Sequence, residues 1–137
     1  MAWLAALTAV AVMALGACTP DEDHAADLLN QSRNANGQVS LPVNVDLSLK
    51  ASAWANQLAN DGYLHHSNLA DGNGYNWYRL GENVGYGYSL EQVQNAFMNS
   101  PGHRANILDG GFNRIGVGVT RTPDGRYWVV QEFMQER

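Results

Sequence analysis

The sequence is poor in cysteine and in positive charge, and each scarcity excludes a class of protein. Cys18 is the single cysteine among 137 residues, so no disulfide can form within one copy of the chain. Lys50 is the single lysine, and 13 acidic against 8 basic residues give a formal net charge of -5. Nucleic-acid binding relies on clustered cations that neutralise phosphates, so this balance argues against a nucleic-acid partner. The fold must instead be stabilised by apolar burial, for which a hydrophobic content of 45% suffices.

The opening segment contains no ionisable side chain. Residues 2–17 are rich in Ala, Leu, Val and Met, although the Lys or Arg that normally begins an export signal is missing. The segment is shorter than the roughly 20 apolar residues of a transmembrane helix, and its length is typical of an export signal. It ends in Leu15-Gly16-Ala17-Cys18, which resembles the bacterial lipoprotein signal. In such signals the chain is cut before the cysteine, whose sulfur is then lipidated.

We therefore predict three parts along the chain. Residues 1–17 are expected to form a lipoprotein-type signal peptide that is cleaved before Cys18. Residues 18–24 are expected to form a short tether and residues 25–137 the folded domain. Lipid on Cys18 would anchor the exported protein to a membrane of the cell envelope. The alternative is an ordinary cleaved signal, which would leave a secreted protein.

Apolar residues recur at intervals of three and four in several segments, which predicts helices. The first is expected over about residues 24–34. The second begins at the cap candidate Asp46 and ends at Asp61-Gly62. A third opens at Ser89, the first residue of a capping-box pattern. Ser100-Pro101 predicts one more helix, with serine as the cap and proline in the first helical position.

Alternating apolar residues predict strands in the second half of the chain. A short strand is expected over residues 82–88 and a hairpin over residues 115–133, which turns at Pro123-Asp124-Gly125. Both faces of the strand after this turn are apolar, which predicts a central strand covered on both sides. Helices first and an antiparallel hairpin last predict an α+β fold. Residues 62–81, rich in Gly, Asn and Tyr, predict a long ordered loop where function is expected.

Two histidines and one glutamate stand out as candidates for chemistry. His66 follows the second helix, Glu82 lies where the long loop meets a strand, and His103 lies in the first turn of the Pro101 helix. Two imidazoles and a carboxylate could hold a divalent metal with open positions or could act as acid and base. The three residues are too far apart in sequence to share one helix, so no local spacing forces them together.

Several motifs resemble the bacterial branch of the CAP superfamily. These SCP-like extracellular domains are named for cysteine-rich secretory proteins, antigen 5 and plant pathogenesis-related 1. The resemblance covers about residues 25–134 and rests on four runs, taken in chain order: Leu64-His65-His66-Ser67, Gly81-Glu82-Asn83-Val84, Ser100-Pro101-Gly102-His103-Arg104-Ala105-Asn106-Ile107-Leu108 and Ile115-Gly116-Val117-Gly118-Val119.

The resemblance implies an α-β-α sandwich in which a small, mainly antiparallel sheet lies between helices. It also implies a cleft lined by His66, Glu82 and His103, with His65 as a neighbouring loop residue. Family clefts have held zinc or magnesium, so Zn²⁺ is the cofactor that the resemblance suggests. The glutamate that completes the cleft in eukaryotic members is absent, because Phe97-Met98-Asn99-Ser100 occupies its position. At most three protein ligands remain, and neutral imidazoles favour zinc over magnesium.

Three functions are compatible with these residues. The first is an envelope module that binds a lipid, peptide or cell-wall ligand through the cleft. The second is a metal-dependent hydrolase acting on peptides or wall polymers, in which His66 and His103 hold zinc and Glu82 is the third ligand or the general base. The third is a structural surface protein with a vestigial cleft, where Glu82 only forms hydrogen bonds with the imidazoles.

Overall fold

A computed structural model describes residues 18–137 of the chain, and the predicted signal peptide lies outside these residues. Four helices and three strands follow one another as α1 (Pro20–Ala35), α2 (Val45–Asp61), β1 (Trp77–Gly87), α3 (Leu90–Met98), α4 (Pro101–Leu108), β2 (Arg114–Arg121) and β3 (Tyr127–Glu136). Within residues 18–137 no helix is both long and apolar enough to cross a membrane.

Helix α1 begins earlier than the sequence predicted, because a capping box was overlooked. The Thr19 hydroxyl accepts a hydrogen bond from the backbone N–H of Glu22, and the Glu22 carboxylate accepts one from the backbone N–H of Thr19. Residues 20–24, which the sequence assigned to a tether, therefore lie in the helix. Only Thr19 separates Cys18 from its first residue, Pro20.

The other helix ends follow the predicted signals with two corrections. Helix α2 is capped by Asn44 and not by Asp46, since the Asn44 side chain accepts from the backbone N–H of Leu47. It ends as predicted at Gly62, whose φ of 76° lies in the left-handed region that glycine tolerates. Pro101 occupies the first turn of α4 as predicted. Ser100, however, makes no side-chain capping bond.

The three strands form one antiparallel sheet in the order β1-β3-β2. The prediction that the last strand is central is confirmed. Strand β1 begins at Trp77, so it is longer than the predicted strand at residues 82–88 and takes in the end of the expected loop. The hairpin of β2 and β3 turns at residues 122–126, as predicted.

Helices cover both faces of the sheet, which confirms the α+β class and the α-β-α sandwich. Helices α1, α3 and α4 pack on one face through a core that includes Leu29, Phe97, Ile107, Ile115, Val117, Val129 and Phe133. Helix α2 packs on the other face through a smaller core of Ala51, Ala55, Leu58, Val84, Trp128 and Val130.

Two glycines allow α2 to lie directly on β2. A Cβ atom built on Gly116 would overlap the backbone of Leu47, and one built on Gly118 would overlap the backbone of Ala51. The contact therefore depends on the absence of side chains at these two positions. Close approach of helix and sheet buries Ala51 completely.

Replacing Gly118 by alanine should destabilise the fold strongly. The new methyl group would overlap backbone atoms of α2, which cannot move aside without separating the helix from the sheet. We expect a loss of about 2–4 kcal/mol in the free energy of unfolding, measured by urea denaturation.

The matched control is Gly102→Ala in α4, where a Cβ atom would meet nothing within 4 Å. This variant should be as stable as the parent or slightly more stable, because alanine favours helix over glycine. Equal stability of the two variants would contradict the proposed contact.

Candidate functional site

Two buried glutamates face each other across the sheet. Glu82 in β1 pairs with Glu132 in the central strand β3, and both side chains point toward the face covered by α2, as do Val84 and Val130 beside them. Their residues are 5% and 1% exposed. A pair of carboxyl groups at this depth is costly unless hydrogen bonds and a shared proton compensate for the lost water.

The loop after α2 supplies the hydrogen bonds that Glu82 needs. One carboxylate oxygen, Oε1, accepts from His66 Nδ1 at 2.7 Å and from the backbone N–H of Ser67 at 2.9 Å. The other, Oε2, accepts from the Ser67 hydroxyl at 2.5 Å. Since an ionised carboxylate can only accept, His66 must carry its proton on Nδ1. Glu82 thus fixes both the tautomer and the orientation of His66.

Helix α2 holds the same loop from its other side. The indole N–H of Trp54 donates to the carbonyl oxygen of His65 at 3.0 Å. The Lys50 ammonium donates to the carbonyl oxygens of Asn68 and Leu69 at 3.0 and 2.7 Å. These bonds and those of Glu82 fix residues 65–69 between helix and sheet.

The pKa values of the two glutamates are shifted in opposite directions. Burial and the hydrogen bond with Glu82 raise the pKa of Glu132 to about 9, so Glu132 is protonated at neutral pH. Burial also acts to raise the pKa of Glu82, but hydrogen bonds from Glu132, Ser67 and His66 outweigh it and the pKa lies below its usual value. The pair therefore carries one negative charge.

Lys50 is the cation nearest to Glu132. Its ammonium nitrogen lies 3.9 Å from Glu132 Oε1, an oxygen for which residues 18–137 supply no hydrogen bond. Lys50 lowers the pKa of Glu132, yet this effect is smaller than the opposing effects of burial and Glu82. The ammonium also donates to two backbone carbonyl oxygens of the loop.

His103 approaches the site from α4. Its Nδ1 lies 2.8 Å from the Ser100 hydroxyl, so this serine orients the imidazole and does not cap the helix. The ring packs against Phe97 with centroids 5.0 Å apart. Burial lowers the pKa of His103, and a positive charge on the neighbouring His66 would lower it further, which favours a neutral imidazole. Asn83 ties the backbone of α4 to β1 by donating to the carbonyl oxygen of His103 at 3.1 Å.

The structure joins His66 and Glu82 directly, and His103 lies near enough for a charge on His66 to lower its pKa. His65 bonds to Asp61 at 2.8 Å. Glu82 lies behind His66, on the Nδ1 side of the ring. Among the residues that the structure describes, no three His, Cys, Asp or Glu side chains are grouped as the ligands of a metal ion would be.

Sequence reasoning missed Glu132 and Lys50. A signal for Glu132 was present, because period-two alternation in β3 puts it on the same face as Trp128 and Val130. A carboxylate among buried apolar residues of a central strand is unusual enough to mark a site. No sequence signal identified Lys50, whose role depends on where the loop folds back over α2.

The sequence around this site matches a known protein family. Residues 26–133 match the model of the cysteine-rich secretory protein family, or CAP. The match covers most of the chain, so the protein belongs to this family. Its sequence is also 32% identical over 119 residues to the uncharacterized protein YkwD of Bacillus subtilis (strain 168). The alignment covers 80% of this chain and 46% of YkwD, so the chain spans about half the length of that relative.

Solved structures share the fold. An outer surface protein from Borrelia burgdorferi superposes with a TM-score of 0.75 at 20% identity, covering 85% of this chain and 93% of that protein. An extracellular protein with an SCP domain from Bacillus anthracis gives a TM-score of 0.72 at 22% identity, covering 88% of this chain and 45% of that protein. Together with the family match and the Bacillus subtilis relative, they confirm a CAP-domain protein of the bacterial branch.

Replacing Glu132 by glutamine should change how stability depends on pH. The pKa of Glu132 is raised from 4.5 to about 9 by folding, so the folded protein keeps a proton that the unfolded chain releases. The parent protein therefore loses stability as pH rises from 4.5 toward 9, by at most about 1.4 kcal/mol per pH unit. Glutamine cannot ionise and can still donate to Glu82, so Glu132→Gln should lack this loss.

Urea denaturation over that pH range measures the difference. Glu136→Gln, at the more exposed end of the same strand, is the control for losing a carboxyl group from β3. If the parent and Glu132→Gln lost stability in parallel as the pH rises, the assignment of a buried protonated carboxyl group would be wrong.

Proposed function

We propose that this protein is an exported envelope protein that binds a ligand through the cleft of His66, Glu82 and His103. The observation that carries the proposal is that each imidazole is held at Nδ1, His66 by Glu82 and His103 by Ser100. Within residues 18–137 neither Nε2 atom has a hydrogen-bonding partner, and the His66 side chain is 62% exposed. Two oriented imidazoles with Nε2 atoms unpartnered within these residues are suited to form hydrogen bonds with a lipid, peptide or cell-wall ligand. Nε2 of His66 can accept, because its Nδ1 donates to Glu82, and Nε2 of His103 accepts or donates according to which way the Ser100 hydroxyl points.

Zinc is the metal that the two imidazoles would favour. NaASP2, a structure of the same fold, was determined with Zn²⁺; it has a TM-score of 0.65 and 14% identity, covering 88% of this chain and 82% of that protein. In this chain Glu82 would orient His66 through the hydrogen bond at Nδ1, as carboxylates often do for zinc-bound histidines. That leaves two protein ligands, fewer than the three of catalytic zinc sites. The residues therefore do not fit a resident catalytic zinc, and we derive no hydrolytic reaction.

Export and anchoring rest on the opening segment. The apolar residues 2–17 and the Leu-Gly-Ala-Cys sequence favour a signal peptide and lipid attachment at Cys18. Two structural relatives are named an outer surface protein and an extracellular protein, in agreement with export. Since one residue separates Cys18 from α1, a lipid there would hold the domain close to the membrane surface.

Removing both imidazoles should abolish ligand capture without unfolding the domain. We expect the double variant His66→Ala with His103→Ala to bind none of the envelope components that copurify with the parent protein. The measurement is mass spectrometry of lipids, peptides and wall fragments released from the purified full chain.

The matched control is His65→Ala, which removes the neighbouring imidazole that bonds to Asp61. This control should capture the same compounds as the parent. Capture by a folded double variant at the parent level would refute the cleft as the binding site.

Replacing Cys18 by alanine should release the protein from the membrane. Expressed from its full sequence in a bacterium that processes lipoproteins, the parent should incorporate labelled palmitate and sediment with membranes. Cys18→Ala should do neither. An unlabelled parent protein found in the medium would favour the ordinary signal peptide.

A further inference from the structure

A groove that contains none of the three cleft residues lies on the other side of the 65–69 loop. It has a volume of about 600 Å³ and runs between the outer face of α2 and the residues that follow Ser67. Sites for small molecules commonly have volumes of this order. Its two walls differ in chemistry, and this difference restricts the ligands that it can accept.

The α2 wall of the groove includes an apolar patch that is held rigidly. Leu49 and Ala53 lie one helical turn apart and line it together with Trp54. Leu49 is 57% exposed, which is unusual for a leucine on a helix that has its own buried face. The indole N–H of Trp54 is bonded to the carbonyl oxygen of His65, so the position of the ring is fixed.

The loop wall of the groove and the N-terminal end of its α2 wall are polar and carry negative charge. Asp46, Asn68 and Asp71 contribute carboxylate and amide groups, and both aspartates are exposed. Lys50 also lines the groove, but its ammonium is bonded to two backbone carbonyl oxygens and lies beside Glu132. All the residues that line the groove lie within residues 18–137. They present hydrogen-bond acceptors and no cation that is free to bind a ligand. Anionic ligands such as phosphates are disfavoured.

We propose that this groove binds an uncharged saccharide. A sugar ring has an apolar face of C–H groups, which matches Leu49 and Trp54, and a rim of hydroxyl groups, which can donate to Asp46 and Asp71. The groove is open to solvent, as a ligand with many hydroxyl groups requires. An acyl chain offers no donors to the two carboxylates.

Saccharide binding in the groove goes beyond the function of the cleft and does not depend on it. Ser67 is the residue that the two sites share, since it lines the groove and donates to Glu82. Saccharide binding should therefore persist in the double variant His66→Ala with His103→Ala. The double variant therefore distinguishes a failure of the cleft proposal from a failure of the saccharide proposal.

The test is an NMR titration of the full chain with the trisaccharide of N-acetylglucosamine. Backbone amide signals of residues 46–57 and 67–72 should shift, and the signals of α1 should not. Leu49→Asp, a change at an exposed position, should weaken binding about tenfold or more because it adds a charge to the apolar wall. Val39→Asp, at a position 74% exposed and outside the groove, is the matched control and should bind as the parent does.

A second variant separates a saccharide from a cationic ligand. Asp71→Asn keeps an acceptor oxygen but removes a charge, so it should alter binding of the neutral trisaccharide by only a few fold. Tighter binding of dodecyltrimethylammonium than of the trisaccharide, with loss of that binding in Asp71→Asn, would overturn the proposal. No shifts with the trisaccharide, or equal binding by Leu49→Asp and the parent, would also overturn it.

Discussion

The burial of the Glu82 carboxylate is the constraint on which the site depends. A charge at 5% exposure must be compensated by hydrogen bonds, and the compensation comes from His66, Ser67 and the proton of Glu132. Those bonds draw a loop with little secondary structure of its own onto the sheet. The same loop carries the imidazole of His66 and, through Ser67 and Asn68, lines the groove beside α2, so one carboxylate positions both.

The opposite face of the same two strands carries a second polar network. Asn83 donates to Gln131 at 3.1 Å, Gln131 to Gln94 at 2.8 Å, and Gln94 to Ser32 at 3.0 Å. Asn106 donates to Asn83 at 3.0 Å and so fixes α4 against the sheet. The two polar residues of the Gly-Glu-Asn-Val motif therefore have separate structural roles, since Glu82 orients the loop with His66 and Asn83 orients the helix with His103.

The sequence predicted what local rules and motifs determine. Apolar residues on both faces of β3 predicted its place at the centre of the sheet, and the motif resemblance predicted the sandwich fold and singled out His66, Glu82 and His103. The sequence could not show that Glu82 bonds to Nδ1 of His66, away from the Nε2 atom, because that depends on how a loop folds over a strand. Glu132 was overlooked because its partner is a cross-strand neighbour far away in sequence. Ser100 was assigned as a cap, although its hydroxyl is used by His103.

The central claim is that the ionised Glu82 carboxylate fixes the imidazole of His66. The most direct test is ¹⁵N NMR of the histidine ring nitrogens, which reports which nitrogen carries the proton. In the neutral ring of His66 in the parent protein, the proton should be on Nδ1, with Nε2 free as an acceptor, and Glu82→Gln should lose this preference. A His66 ring in the parent that is protonated mainly at Nε2, or that averages between tautomers, would contradict the account.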